Sequence, residues 1–281
     1  MTRARRPITL QEAADRLGVH YMTAYRYVRT GRLPARREGV QWMIDPAELA
    51  KMRPPERMTR GHGTVRTEGP AKLAARMAAG DEAGAWGVVE AALASGVEAA
   101  DIYLDLLVPA LEVVGEGWAA GELTVADEHR ATAVALRLVG RLGPRFARRG
   151  RKRGTVVVGA PAGEQHGLPA AILADLLRGV GFEVLDMGAN TPAASFAETV
   201  KEANRLVATA IAITTPGGDA AARAAVKALR QADLGVPILV GGAAVHDRAH
   251  ALRLGADEWS GHDGRTALVA IEQIARSGSR S

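Results

Sequence analysis

The chain has 281 residues, 47% of them hydrophobic, which is enough for two or three compact domains with sizeable cores. It contains no cysteine, which excludes disulfides, thiolate nucleophiles and zinc–cysteine sites and fits a reducing, cytoplasmic setting. The net charge of +5 is uneven: residues 1–60 hold 13 Lys/Arg against 6 Asp/Glu and the remaining 221 hold 23 against 25, so a basic head, suited to a polyanion, precedes a near-neutral body.

The N-terminal MTRARRPITL is basic, but no hydrophobic signal core follows it, and no apolar run reaches the roughly 18 residues of a membrane span. Neither secretion nor a membrane partner is expected. The head occupies residues 1–52. Within it, Thr9 and Glu12 have capping-box spacing before a first helix whose apolar face is Ala13, Ala14 and Leu17. Gly18 makes a turn, Val19 packs inward, and a second helix runs from about His20 to Thr30 with Ala24 and Val28 inside. Tyr21, Thr23, Arg26, Tyr27 and Arg29 lie on its other side and suit base edges and phosphates of double-stranded DNA, although Tyr21 and Tyr27 also suit packing roles. Two short strands around Glu38-Gly39 predict a hairpin wing with Arg36 and Arg37 at its tip, Trp42 beneath it and a short helix from Asp45 or Pro46. This block resembles the winged helix-turn-helix of the MerR and excisionase families.

Residues 53–70 are rich in Pro, Gly and Arg and read as a linker. Residues 71–150 are dominated by Ala and Leu and punctuated by Gly80, Gly96 and Gly121, which predicts a four-helix bundle with helices near 71–79, 82–95, 98–119 and 124–148. One cluster stands out there. Trp118 ends a helix, Thr124 and Asp127 can cap the next, and Glu128 and His129 follow in its first turns. The corner can bring an indole, a carboxylate and an imidazole together, suited to a flat organic group and ribose hydroxyls. A core Trp beside a surface Glu-His pair is the structural alternative.

From 151 to 281 short β-rich runs alternate with amphipathic helical stretches. Strands are predicted at 155–161, 182–188, 208–215, 237–242 and near Glu258–Ser260, with helices near 167–179, 192–205, 218–232, 244–254 and 263–276. Such alternation predicts a doubly wound, Rossmann-like parallel sheet that binds ligands beyond the C-terminal strand ends. Glu164-Gln165-His166-Gly167 falls in the first such loop, Thr214 and Thr215 in the third and Gly241-Gly242 in the fourth. A carboxylate two residues before a histidine can fix its tautomer and raise its basicity as a metal ligand. The glycine pair is expected to let backbone approach a bulky ligand.

The block resembles the cobalamin-binding domain of methionine synthase and the corrinoid-dependent mutases. That family reads Asp-x-His-x-x-Gly, then Ser-x-Leu/Thr, then Gly-Gly. Here Glu164 stands for the acid, His166 for the lower axial ligand of cobalt, Pro169 for the last Gly, Ala212 for the Ser, and Thr214 for the Thr. Head, bundle and sheet in this order resemble the CarH/LitR-type photoreceptor repressors, whose Trp-x9-Glu-His matches Trp118, Glu128 and His129. The resemblance implies adenosylcobalamin as light-sensing cofactor, with its adenosyl group against those three residues. It also implies a homo-oligomer, tetramer or dimer, whose assembly and operator affinity change with light. Well-studied members carry a His directly after the Trp; here that position is Ala119. The alternatives are a light-independent sensor of cobalamin or another tetrapyrrole and a corrinoid methyl carrier. The sequence contains no serine-histidine-acid set or phosphate loop of a self-contained enzyme.

Overall fold

In the computed structural model residues 7–17, 28, 33–38, 41–51 and 64–278 are described, and the chain divides into two compact units, Met1–His62 and Gly63–Ser281. In the first unit, β1 (Ile8–Thr9) leads into α1 (Leu10–Leu17), followed by β2 (Ala35–Glu38), β3 (Gln41–Ile44) and α2 (Pro46–Lys51). The expected capping box starts α1: Thr9 Oγ1 accepts from the Glu12 amide at 3.2 Å, and Glu12 Oε2 accepts from the Thr9 amide at 2.8 Å. At α2, Asp45 Oδ1 accepts from the Ala47 amide at 2.8 Å.

The expected hairpin is present as β2 and β3, but β1 adds a third strand that sequence reasoning missed, in the order β1-β3-β2. Two residues are too few for an alternation signal to register. Val28 is helical, and it and Trp42 pack half-buried against a core of Ile8, Leu10, Ala13, Leu33, Ile44 and Leu49. Tyr21, Thr23, Arg26, Tyr27 and Arg29 lie outside the described residues. Arg36 and Arg37 are exposed but sit within β2, opposite Met43 and Trp42, rather than at the hairpin tip. Being consecutive in a strand, they project to opposite faces.

In the second unit the four helical segments expected over 71–148 are present. They are α3 (Gly69–Ala78), α4 (Glu82–Ala94), a continuous run from 99 to 119, and α7 (Val125–Leu142), which ends in a 3₁₀ turn at Gly143–Phe146. The long run is not uniform: α5 (Ala99–Asp101) and α6 (Val108–Ala119) flank a π-helical stretch, Ile102–Leu107. Pro109 supplies the reason. It has no N–H to offer the Asp105 carbonyl and its ring crowds that carbonyl, so the preceding turn widens. These helices share one core that includes Leu73, Met77, Ile102, Leu106, Leu138 and Leu142.

The remaining elements are β4 (Thr155–Gly159), α8 (Leu168–Gly179), β5 (Glu183–Asp186), α9 (Ala193–Glu202), β6 (Leu206–Ala212), α10 (Asp219–Gln231), β7 (Ile238–Gly241), α11 (Arg248–Arg253), β8 (Glu258–Trp259) and α12 (Gly264–Gly278). The five strands are parallel in the order β5-β4-β6-β7-β8, a Rossmann-like sheet with a core on each face. Helix α8 serves two cores. Leu168, Ile172 and Leu176 enter the helical core, whereas Ala170, Leu173, Ala174 and Leu177 enter the sheet's.

A buried polar link joins the same two layers. Tyr103, fully buried and stacked on Phe146 at 4.9 Å, donates its hydroxyl hydrogen to Asp175 Oδ2 at 2.8 Å, with the Val139 carbonyl 3.2 Å away. Burial first, and then the bond to Asp175, push the Tyr103 pKa up, so it stays a neutral donor. Arg178 closes on the other Asp175 oxygen at 2.9 Å. Tyr103→Phe removes a donor to a buried carboxylate, which should cost about 1–3 kcal/mol. The expected result is a lower urea midpoint; an unchanged midpoint would show that this bond does not support the union of helices and sheet.

Candidate functional site

The strand order reverses at β4, whose neighbours are β5 and β6. Loops leaving β4 and β6 therefore diverge and open a crevice at the C-terminal edge of the sheet. The β4 loop carries Glu164 and His166, and the β6 loop carries Thr214 and Thr215. Glu164 unites them. Its side chain is 1% exposed. Oε2 accepts from the Thr214 and Thr215 amides at 2.7 and 2.8 Å. Oε1 accepts from the His166 amide at 3.0 Å and meets the His166 ring Nδ1 at 2.6 Å. The Thr215 hydroxyl lies 3.2 Å from both that oxygen and Nδ1.

Burial pushes the Glu164 pKa up, but the opposing bonds from the His166 amide, the Thr215 amide, the His166 ring and the Thr214 amide outweigh it. They hold the group well below its ordinary 4.5, at about 2. An ionised carboxylate only accepts, so Nδ1 donates to it, and in the neutral ring the lone pair is then on Nε2. The His166 side chain is 55% exposed, and among the described residues Nε2 has no hydrogen-bond partner. It is thus oriented, electron-rich and accessible, which is the state a metal ligand requires. Among the described residues no group of three or more His, Cys, Asp or Glu could hold a metal ion by itself. A single presented imidazole suits a metal that brings its other ligands with it.

The β4 loop is also tied to the β5 loop. Ala160 N donates to Gly188 O at 2.8 Å, Thr191 N to Ala160 O at 2.9 Å, and Asn190 N to Glu164 O at 2.8 Å. The Asn190 side chain accepts from Gly163 N at 2.8 Å. Sequence reasoning missed Asn190; its φ of 54° is a conformation asparagine tolerates better than most residues.

Several expected residues also serve the protein's own packing. The Thr214 and Thr215 amides both donate to Glu164. The glycine pair is likewise needed by the chain's own packing. A Cβ on Gly241 would lie 2.1 Å from Ser260 Oγ, and one on Gly242, at φ +106°, would lie 2.4 Å from the Ile213 carbonyl oxygen. Ile213 N donates to Gly241 O at 2.8 Å and Ala244 N to Ile213 O at 3.1 Å, so the glycines let the β7 loop brace the segment that presents Thr214 and Thr215. Gly167 takes an ordinary helical φ of −82°, and a Cβ there would meet Ala189 at a normal 3.6 Å. Pro169 occupies the first turn of α8, where its missing N–H costs nothing.

The predicted cap between Thr124 and Asp127 is present and starts α7. Glu128 then pairs with His129 Nδ1 at 2.8 Å and accepts from Thr132 Oγ1 at 2.8 Å. Trp118, in the last turn of α6, is 52% exposed, so core packing does not account for it. Among the described residues, no hydrogen bond or ring stacking joins the indole to the Glu128–His129 pair. No helix among the described residues is long and apolar enough to cross a membrane.

Residues 71–142 match one family model for a B12 binding domain and residues 154–272 match another, while residues 8–53 match a helix-turn-helix domain. The chain is 30% identical to dimethylamine corrinoid protein 3 of Methanosarcina mazei over 44% of its own length and 74% of that protein's. It is 29% identical to the trimethylamine corrinoid protein of Methanosarcina barkeri over 46% of its own length, and 32% identical to that organism's dimethylamine corrinoid protein over 45%. These two matches span 60% and 59% of the relatives' lengths. The solved monomethylamine corrinoid protein of Methanosarcina barkeri shares the fold: TM-score 0.63 at 22% identity, over 72% of this chain and 96% of that one.

Glu164 contributes stability that is fully present above its ordinary pKa of 4.5 and is lost as pH falls toward about 2. Glu164→Gln should therefore melt below wild type at neutral pH, and the gap should narrow steadily on acidification below about pH 4.5. Melting curves from pH 7 to 3 test this; a constant gap would mean that the carboxylate's charge is not what holds the loops.

Proposed function

Because the chain belongs to the family of B12-binding corrinoid proteins, we propose that His166 Nε2 holds the cobalt of a cobalamin and that cofactor state controls DNA binding by the head. The observation that carries this reading is the 2.6 Å contact between His166 Nδ1 and buried Glu164, with Nε2 left exposed. The cofactor would bring cobalt with its remaining ligands and an exchangeable group for chemistry or signalling. Glu164 sets the tautomer and basicity of His166. The half-exposed Trp118 offers a flat apolar surface, and Glu128 offers acceptors for ribose hydroxyls, which fits the adenosyl form.

Helix α8 begins two residues after His166 and plants Leu168, Ile172 and Leu176 in the helical core. A change in the force on His166 thus has a packed route to the bundle. For such a route to switch function, two states must bind the cofactor differently. In our reading these are two states of assembly, and light absorbed by the cofactor would change oligomer and operator affinity. Ala119 carries no imidazole, so this position would not supply a second histidine to the cofactor. The helix-turn-helix match over 8–53 and the +7 charge of residues 1–60 support a non-enzymatic transcriptional regulator. A second reading, a corrinoid methyl carrier, is favoured by the relatives' names and has no use for the head.

Protein reconstituted with adenosylcobalamin should bind it, and His166→Ala should change the spectrum; an unchanged spectrum and affinity remove His166 as ligand. Glu164→Ala should weaken binding by about 10–100-fold. Gel shifts with upstream promoter DNA, in darkness and after illumination, separate the readings. Light-independent binding leaves a cobalamin sensor, and no binding leaves the methyl carrier. Arg26→Ala should weaken the shift, and an unaltered shift removes the second head helix as the reading element.

A further inference from the structure

The charge of the body is not near-neutral everywhere. Residues 61–281 carry 23 Lys/Arg and 25 Asp/Glu; seven of those basic residues and none of the acids fall in 141–153, so the rest of the body carries −9. The acid-free stretch is longer still, from His129 to Gly163.

Several arginines elsewhere in the body sit on carboxylates: Arg137 on Glu82, Arg230 on Asp257, Arg248 on Glu258 and Arg265 on Asp105, all within 3.1 Å. The segment 145–151 differs. Arg145, Arg148, Arg149 and Arg151 are exposed, and among the described residues none has a carboxylate partner. Its backbone is nevertheless anchored at both ends. Phe146 is buried and stacked on Tyr103. Lys152 Nζ donates to Arg148 O at 2.8 Å, Arg205 donates to Lys152 O at 3.0 Å, and Arg153 pairs with Glu272 while lying 4.4 Å over the Phe182 ring. The result is a pinned strap that presents four guanidinium groups.

The strap lies at the N-terminal edge of the sheet. The five-residue β4, about 16 Å at roughly 3.3 Å per residue, separates it from the loop of His166, so it is not a seat for that site's ligand. A guanidinium fork matches phosphate oxygens. The head is joined to the same chain, so DNA held by the head is at high local concentration for the strap.

We propose that Arg145, Arg148, Arg149 and Arg151 form a second, sequence-independent contact with the phosphate backbone of duplex DNA. This rests on the reading of the head as DNA-binding. An otherwise acidic body would be repelled by DNA, and the strap marks the face that can approach it.

The test uses the full chain with all four arginines changed to Gln, and a second variant with all four changed to Lys. Duplex binding is followed by fluorescence anisotropy across a KCl series, with far-UV circular dichroism as the folding control. Each phosphate contact contributes about −0.9 to the slope of log K against log salt, so the Gln variant should be shallower by about 3–4. It should lose affinity equally for operator and unrelated DNA, and the Lys variant should restore most of the slope. An unchanged slope in a protein that still binds operator through Arg26 overturns the strap and leaves the head reading intact. Loss of oligomer mass with an unchanged DNA slope assigns the strap to a second copy of the chain and also overturns it. A wild type that binds no duplex at low salt removes both readings.

Discussion

An ionised carboxylate buried within a protein is costly unless every lone pair finds a donor. Glu164 meets that demand by drawing on two loops at once: the amide and ring of His166 from its own loop, and the amides of Thr214 and Thr215 from the next. The orientation of His166 follows from this. The ring cannot turn without leaving the carboxylate short of a donor, so Nε2 is aimed outward. The demand propagates further, because the loops must themselves be held. Asn190 holds one, and the Gly241-Gly242 backbone holds the segment leading into the other.

The same region joins the layers of the second unit. Helix α8 starts beside His166 and buries opposite faces in different cores, and Tyr103 reaches from the π turn to Asp175 near the helix's far end. Interfaces of this kind are packed and hydrogen-bonded, so they change by discrete rearrangement rather than by gradual bending. A ligand on His166 would act on an element already shared by the helical layer and the sheet. The π turn is part of this geometry, since it lies where Pro109 disturbs the helical ladder and it carries Tyr103.

Charge divides the molecule differently from the cores. Several arginines of the body sit on carboxylates, while the head and the strap keep an excess of positive charge. Because exposed ion pairs stabilise little, this arrangement matters less for stability than for what each surface can approach.

Local features were legible in the sequence because their causes are local. The capping boxes Thr9–Glu12 and Thr124–Asp127 rest on contacts three residues apart, and helix and strand positions rest on periodicities of 3.6 and 2. His166 and Glu164, two residues apart, were legible for the same reason. What the sequence could not decide depends on neighbours distant along the chain. Thr214 and Thr215 serve Glu164 through main-chain amides, which any residue but proline carries, so no side-chain pattern marks them. Gly241 and Gly242 make room for Ser260 and Ile213, a packing role that requires knowing which strands are adjacent. Tyr103 and Asp175, 72 residues apart, meet only once the helices have packed on the sheet. The sequence by itself determined the elements and the Glu164–His166 pair. Only the tertiary structure decided how that pair is held, because the donors that satisfy a buried charge come from wherever the fold brings backbone within reach.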